Sequence, residues 1–510
     1  MRVKLLGYNR IVQLLQSFYA YHTYFTIVMA LLIGFLCYVN EMDHARLTVM
    51  EAFFLGVSTS TDTGLLTFDF SITKISTQII VMIGSELCGV FFASTLVPSV
   101  CRWYRLKQII KQQELLNSDS TNTLVDFSSS ESSEITDETN DETNLQVFTS
   151  EIEPMRYDYK LEIKSLEYFI YILLFYTISF KLIGFIVILI TCYTSNETIT
   201  FLNQQQINPV WFSLFQTISS WNNLGMTVNQ NSLNPLINVH CIVITSVFLN
   251  MTGNIMIPII TRMLTFIVHR LFEQKSKHCS KPQPLLYILK APTRMSLSFF
   301  SSTQTKLLFL VQLFLILLQT IFFSLFYNKN DLSPLYVGFV NSSFTRTAGF
   351  SIINVRDLSP PVILTYILSM YIAAYPTVIL RQYRDIEVNA KAGLIHIQSN
   401  ITTILKYVKS LFFSHIIWFY TATLIVMAFY CSAHTTGANQ LIDVMFEISS
   451  AFGTVGMSLG SSKDPCSFSG DVPIPAQLII CLVMILGRHR GFPTHSYPLD
   501  YYSFWKKVNS

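Results

Sequence analysis

Charge is what this 510-residue chain has least of: Asp, Glu, Lys and Arg together make up 13% of it, about half the share of an ordinary soluble domain. With 51% hydrophobic residues, it lacks the polar side chains to cover a soluble globule, which excludes a soluble enzyme or a disordered scaffold. A net charge of +3 is too small to point to nucleic acid or another polyanionic partner. The nine cysteines are scattered singly. With no CxxC pair and no ligand-like spacing, neither a zinc site nor a disulfide framework is expected. There is no GxxxxGK[ST] loop and no phosphorylated-Asp pump signature, so direct ATP hydrolysis is not expected. HxxxH, GxSxG and paired-carboxylate constellations are missing too, which speaks against an enzyme. What the chain has in quantity is apolar surface, with 40 Phe, 25 Tyr and a mean hydropathy of +0.43. The expected class is an all-α integral membrane protein.

A helix needs about 20 apolar residues to cross the hydrocarbon layer. Candidate runs are Tyr24–Tyr38, Ile79–Ser99, Tyr168–Cys192, Leu236–Ile260, Leu307–Tyr327, Pro361–Leu380, Leu411–Tyr430 and Val472–Leu486. Met1–Tyr21 carries charges and no small-residue cleavage site, so no cleavable signal is expected. Lys and Arg cluster before the first run and after the second, fourth and sixth (Arg2, Lys4, Arg10; Arg102, Arg105, Lys107; Arg262, Arg270, Lys290; Arg381, Arg384, Lys406). The alternate loops carry almost none, and the positive-inside rule puts both termini in the cytoplasm. The sequon Asn196-Glu-Thr falls in an outside loop, open to glycosylation. Residues 115–153 are rich in Ser, Thr, Asp, Glu and Asn, a composition unable to bury a core and expected to be disordered.

After each odd-numbered run comes a stretch too short and too polar to cross the membrane, and the four stretches align. They run from Phe54 through Ser58 to Gly64, Phe215 through Ser219 to Gly225, Phe339 through Ser343 to Gly349, and Phe446 through Ser450 to Gly456. Phe stands ten residues before the glycine and Ser six before it in every copy. The unequal separations between copies rule out low-complexity slippage. Such a stretch suits a pore loop: a half-length helix enters the membrane and the chain returns extended. Exposed backbone at that depth is tolerated only where protein buries it or water and ions meet it. Extended backbone can aim carbonyls at a dehydrated cation, and Gly at the turn permits close approach. The order span, pore loop, span occurs four times, so one chain can build a ring.

The arrangement resembles the Trk/Ktr/HKT superfamily of cation transporters, and within it the fungal-type Trk potassium transporters. The segments that carry the resemblance are Phe344-Thr-Arg-Thr-Ala-Gly-Phe350, Met370-Tyr-Ile-Ala-Ala-Tyr-Pro376, Ser450-Ala-Phe-Gly-Thr-Val-Gly-Met-Ser-Leu-Gly460 and Gly487-Arg-His-Arg-Gly491. Thr454-Val455-Gly456 is similar to the TVG of potassium-channel filters. The resemblance implies four M1–pore loop–M2 repeats, eight transmembrane helices plus four re-entrant pore helices, around a pseudo-four-fold central pore. It implies an ion-binding filter of Asp62, Thr63, Gly64 and Leu65; Asn223, Leu224, Gly225 and Met226; Thr347, Ala348, Gly349 and Phe350; and Thr454, Val455, Gly456 and Met457. Potassium is the implied transported ion, with sodium transport or potassium/sodium symport as the alternative. In this family Gly64 goes with potassium, and Ser there with the sodium-selective plant class. No organic cofactor is expected, a homodimer in membrane lipid is implied, and the plasma membrane is the implied location. Asp62 is open to two readings, in the filter strand or in the packing shell behind it.

The expected organisation is a cytoplasmic N-terminus (1–17), repeat 1 (18–101), a linker (102–163), repeat 2 (164–265), a linker (266–302), repeat 3 (303–382), a linker (383–404), repeat 4 (405–500) and a cytoplasmic C-terminus (501–510). The last run ends early at Arg488-His489-Arg490, so at least one of these cations should lie within the layer. By resemblance that places a positive charge beneath the pore; snorkelling of the Arg to the headgroups is the other reading. Ala373, Ala374 and Tyr375, ahead of the helix-breaking Pro376, are by resemblance a gate that Arg488 or Arg490 bonds; a lipid-facing kink is the alternative. Glu86 and Lys181 are also intramembrane, His240 and His415 read as packing residues, and Asn250 and Asn254 as interhelical glue.

Overall fold

The computed structural model describes residues 18–125, 159–275, 284–327, 333–372, 401–433, 439–461 and 466–490, apart from 45 and 297. The expected gate residues Ala373, Ala374 and Tyr375 lie outside them, as do residues 126–158 of the linker and both termini. Every described element is helical. In chain order the helices that matter here fall into four trios. The first is α1 (Phe18–Glu41), α2 (Val49–Ser60) and α3 (Ile75–Cys88). It is followed by α4 (Val97–Val125), which runs on into the stretch expected to be disordered. The second is α5 (Tyr159–Thr194), then after α6 (Asn196–Gln204), α7 (Pro209–Asn222) and α8 (His240–Gly253). The helices α9 (Ile257–Lys275) and α10 (Pro284–Lys290) lead to the third, α11 (Ser302–Phe326), α12 (Pro334–Thr347) and α13 (Pro360–Ile372). The fourth is α14 (Ile401–Ala433), α15 (Asn439–Gly453) and α16 (Ile474–His489).

The middle helix of each trio is short because its ends are written into the sequence. Thr48 and Glu51 form a capping box that starts α2, Asn208 caps α7 with Pro209 following, and Pro334 opens α12. Proline at the first turn loses nothing, since the N–H it lacks has no helical partner there. The first helix of each trio turns large apolar side chains outward, among them Phe35, Phe175, Phe314 and Trp418, each more than 60% exposed. Hydrocarbon is the solvent such a face suits.

Five described helices are long and apolar enough to cross a membrane: Ala20–Glu41, Ile75–Gln112, Tyr159–Thr194, Ser302–Phe326 and His415–Ser432. The pair α8 and α9, bent by 82° at its break, meets the same length and hydropathy only when taken together. The other two expected spans, α13 and α16, are shorter apolar helices among the described residues. The bend parts the two asparagines read as glue: Asn250 is in α8, which stops at Gly253, and Asn254 sits in the break at φ −137°. Pro258 cannot donate to the Asn254 carbonyl and its ring would crowd it, and Gly253 lies against the Trp221 carbonyl, where a Cβ would collide.

Each trio packs within itself, and the trios contact one another in a cycle. The third helix of one lies against the short helix of the next: α3 on α7, α8 on α12, α13 on α15, and α16 back on α2. Within the first trio small residues set the distance. A Cβ on Gly34 would lie 2.8 Å from the Ala52 carbonyl oxygen, and one on Gly56 would strike that of Ala30. Lipid tails are as apolar as leucine, so close packing holds helices together there. We therefore expect Gly56→Leu to destabilise the protein by about 1–3 kcal/mol, the usual cost of overpacking. A lowered thermal midpoint in detergent is the readout.

Candidate functional site

The three-residue register found in the sequence has a backbone cause. In the first loop Asp62 N–H bonds the Thr59 carbonyl (3.2 Å) and Thr63 N–H reaches back to Ser58 (2.8 Å). The second loop repeats this with Asn223 on Ser220 (3.3 Å) and Leu224 on Ser219 (2.9 Å). The fourth does so with Thr454 on Ala451 (3.2 Å) and Val455 on Ser450 (3.0 Å). This is a Schellman cap. Its left-handed residue is Asp62, Asn223 or Thr454, at φ 50°, 63° and 50°. The repeated Ser is thus the residue whose carbonyl closes the short helix.

The third loop departs from the pattern. Its helix runs one residue further, and Ala348 and Gly349 both donate to the Phe344 carbonyl (3.1 and 3.0 Å). No left-handed residue precedes Gly349.

The four glycines themselves have positive φ, at 83°, 76°, 65° and 91°, and each abuts the loop of the next trio. A Cβ on Gly64 would be driven into the Leu224 carbonyl oxygen, one on Gly225 into Ala348, one on Gly349 into Val455, and one on Gly456 into Thr63. The series closes on itself. Thr63, Leu65, Leu224, Met226, Ala348, Phe350, Val455 and Met457, the residues on either side of the glycines, are each exposed by 1% or less. A cavity of about 440 Å³ opens on the return-strand side, bordered by Gly225, Gly349 and Gly456, with Thr227, Asn231, Ser351 and Ser458 among its lining residues.

The packing behind the ring is polar and charged. The Asp62 carboxylate pairs with Arg488 Nη2 at 2.9 Å, with side-chain exposures of 2% and 6%, and Arg488 also donates to the Cys88 carbonyl. Of the two readings open for Asp62, this contact puts its carboxylate against α16. Arg490 donates to the Gly453 carbonyl at 3.2 Å and lies over the Phe452 ring at 4.9 Å. The Arg488 side chain is 6% exposed and Arg490 is buried. Asn250 donates to the Ser343 carbonyl and accepts from Thr347 Oγ1 at 2.7 Å, which is the expected gluing role. His240 packs edge-on against Tyr336, and His415 lies near Phe452.

Glu447 escaped the sequence reading. Buried in α15, its carboxylate accepts from Ser469 N–H (2.9 Å), Ser469 Oγ and Ser458 Oγ (2.7 Å). Ser458 Oγ in turn accepts from Gly460 and Phe468 N–H. One carboxylate so holds the strand that leaves Gly456. The signal was available: an acid within a half-length helix read as entering the membrane needs partners.

Removing one member of a buried ion pair strands the other charge, at a cost of about 3–5 kcal/mol. We expect Asp62→Ala to lose most of the folded protein, and the double variant Asp62→Asn/Arg488→Gln to recover at least half of it. Monodisperse yield after detergent extraction checks both.

The model of a family described as "Cation transport protein" (TrkH) matches residues 154–496. Potassium transport protein 1 of Schizosaccharomyces pombe is 27% identical over 334 residues, covering 62% of this chain and 39% of that protein. Potassium transporter TRK1 of Candida albicans is 27% identical over 355 residues, 65% of this chain and 33% of that one. The low-affinity potassium transport protein of Saccharomyces cerevisiae is 24% identical over 386 residues, 67% and 43%. The chain therefore spans less than half the length of each of these relatives. The crystal structure of the potassium transporter TrkH from Vibrio parahaemolyticus superposes with a TM-score of 0.48 at 12% identity, over 94% of this chain and 85% of that one. With a family model matched across most of its length, the chain belongs to the TrkH family of cation transport proteins.

Proposed function

We propose that this protein carries potassium into the cell through a pore whose narrowest part is the ring of four glycine turns. The observation that carries this reading is the closed series of contacts from Gly64 to Leu224, Gly225 to Ala348, Gly349 to Val455 and Gly456 to Thr63. Four backbones brought together at one level are what a filter requires, because carbonyl oxygens then replace the hydration shell of a cation. The polar cavity beside the ring supplies the approach from water. The names of the relatives, all potassium transport proteins, support the choice of ion.

On this reading the filter comprises the residues around each glycine, with the carbonyls of Thr63, Leu224, Ala348 and Val455 facing the ion. Asp62 and Arg488 brace it from behind, and a positive charge so near the path slows cation flux. Permeation is channel-like and follows the electrochemical gradient. A negative-inside potential favours entry by about 2.3 kcal/mol per 100 mV for each cation. The distribution of Lys and Arg supports cytoplasmic termini, and the plasma membrane is the setting in which such uptake is useful.

The test is rescue. Expressed in cells that lack their own potassium uptake, the chain should restore growth on low potassium, and failure at normal surface amounts would refute the reading. Gly225→Ala, which drives a methyl group into the Ala348 carbonyl, should cut rubidium uptake at least about tenfold, the effect of ~1.4 kcal/mol on the barrier. Gly64→Ser should raise sodium entry relative to potassium. Unchanged selectivity in flux assays would remove Gly64 from the filter.

A further inference from the structure

The pore reading leaves unused an intramembrane charge cluster at the seam between the first and second trios. Lys181 lies midway along α5 and Glu86 near the end of α3, and their side chains form an ion pair. The Lys181 ammonium also stands 5.6 Å from the centre of the Trp221 ring. The second oxygen of Glu86 accepts from Asn222 Nδ2 at 3.0 Å, and the same amide nitrogen donates to Ser85 Oγ at 3.2 Å. Its acceptor Oδ1 faces Gly89, where a Cβ would come within 3.2 Å. Asn222 is therefore held on both sides by the end of α3.

Asn222 is the last residue of α7. The next residue, Asn223, takes the left-handed turn, and the one after it, Leu224, presents the carbonyl that meets Gly64. The cluster thus grips the second loop two residues before the ring.

An apolar contact would join these helices at lower cost, because a buried ion pair scarcely repays its desolvation. What the charged arrangement adds is direction. A carboxylate fixed by Lys181 accepts from one amide hydrogen along one line, and an amide so fixed cannot rotate.

We propose that Lys181 and Glu86 are positioning residues that hold Asn222, and through it the Leu224 carbonyl, so that the second loop discriminates between monovalent cations. The proposal rests on the pore reading given above. A role confined to helix packing would change the amount of folded protein and leave selectivity alone. A positioning role changes the rubidium-to-sodium ratio per molecule at the surface.

The test uses the full chain in cells without their own potassium uptake, with rubidium uptake measured in competing sodium and normalised to surface-labelled protein. Glu86→Ala and Lys181→Met should each lower the rubidium-to-sodium ratio by on the order of tenfold, the equivalent of ~1.4 kcal/mol. The double variant Lys181→Met/Glu86→Gln leaves no charge unpaired and keeps an acceptor for Asn222. Its ratio should return to within about threefold of the parent chain, since ~0.6 kcal/mol corresponds to that factor. Should Glu86→Ala fail to reach the surface, Asn222→Asp carries the test, because it sets a second carboxylate against Glu86; the same loss of ratio is expected. An unchanged ratio in the surface-expressed variants overturns the proposal, as does a double variant no better than the worse single one. A parent chain that moves no rubidium refutes the pore reading and this proposal together. A working parent with unmoved variants refutes the positioning role alone.

Discussion

Everything in the molecule is arranged around four backbone turns that lie too close for any side chain to come between them. Each glycine of the ring occupies a left-handed conformation that a Cβ makes costly, and each rests on the carbonyl of the neighbouring loop. Either condition alone would favour glycine; the two together demand it. The short helices end where they do so that each turn meets the next. The cyclic packing of α3 on α7, α8 on α12, α13 on α15 and α16 on α2 holds them there.

Backbone brought together in this way needs support, and the supports differ from loop to loop. The first has the Asp62–Arg488 pair, the second Asn222 clamped by Ser85 and Glu86, the third Asn250 on Ser343 and Thr347, and the fourth the Glu447 carboxylate on Ser458 and Ser469. All four are buried polar groups that tie a turn to a helix or strand beyond it. Buried polar groups that are fully partnered fix geometry; half-partnered ones are a liability. Three of the four turns share one backbone cap, the third departs from it, and the four are braced by dissimilar sets of side chains.

Much of this was legible in the sequence, and the reason is physical. In three copies the Ser carbonyl closes a helix cap, and in all four the glycine must touch its neighbour. These are local demands that leave a local trace. The one-residue extension of α12 left none, since Thr347-Ala348 reads as readily turn as helix. The break after Gly253 was readable from Gly253-Asn254 followed by Pro258, yet hydropathy alone carried the expected span through it. Which partner Asp62 takes, and that Lys181 meets Glu86, depend on distances between segments remote in sequence, which composition and spacing do not encode. Glu447 was passed over although an acid in a pore-loop helix needs partners, because its partners Ser458 and Ser469 lie 11 and 22 residues further along the chain.

The central claim concerns an ion on an axis, and a density map of the purified protein in rubidium tests it most directly. The account predicts cation density ringed by the carbonyl oxygens of Thr63, Leu224, Ala348 and Val455, lost when rubidium is replaced by a large organic cation. Carbonyls turned away from the axis, or an empty axis in protein that still transports rubidium, would contradict it.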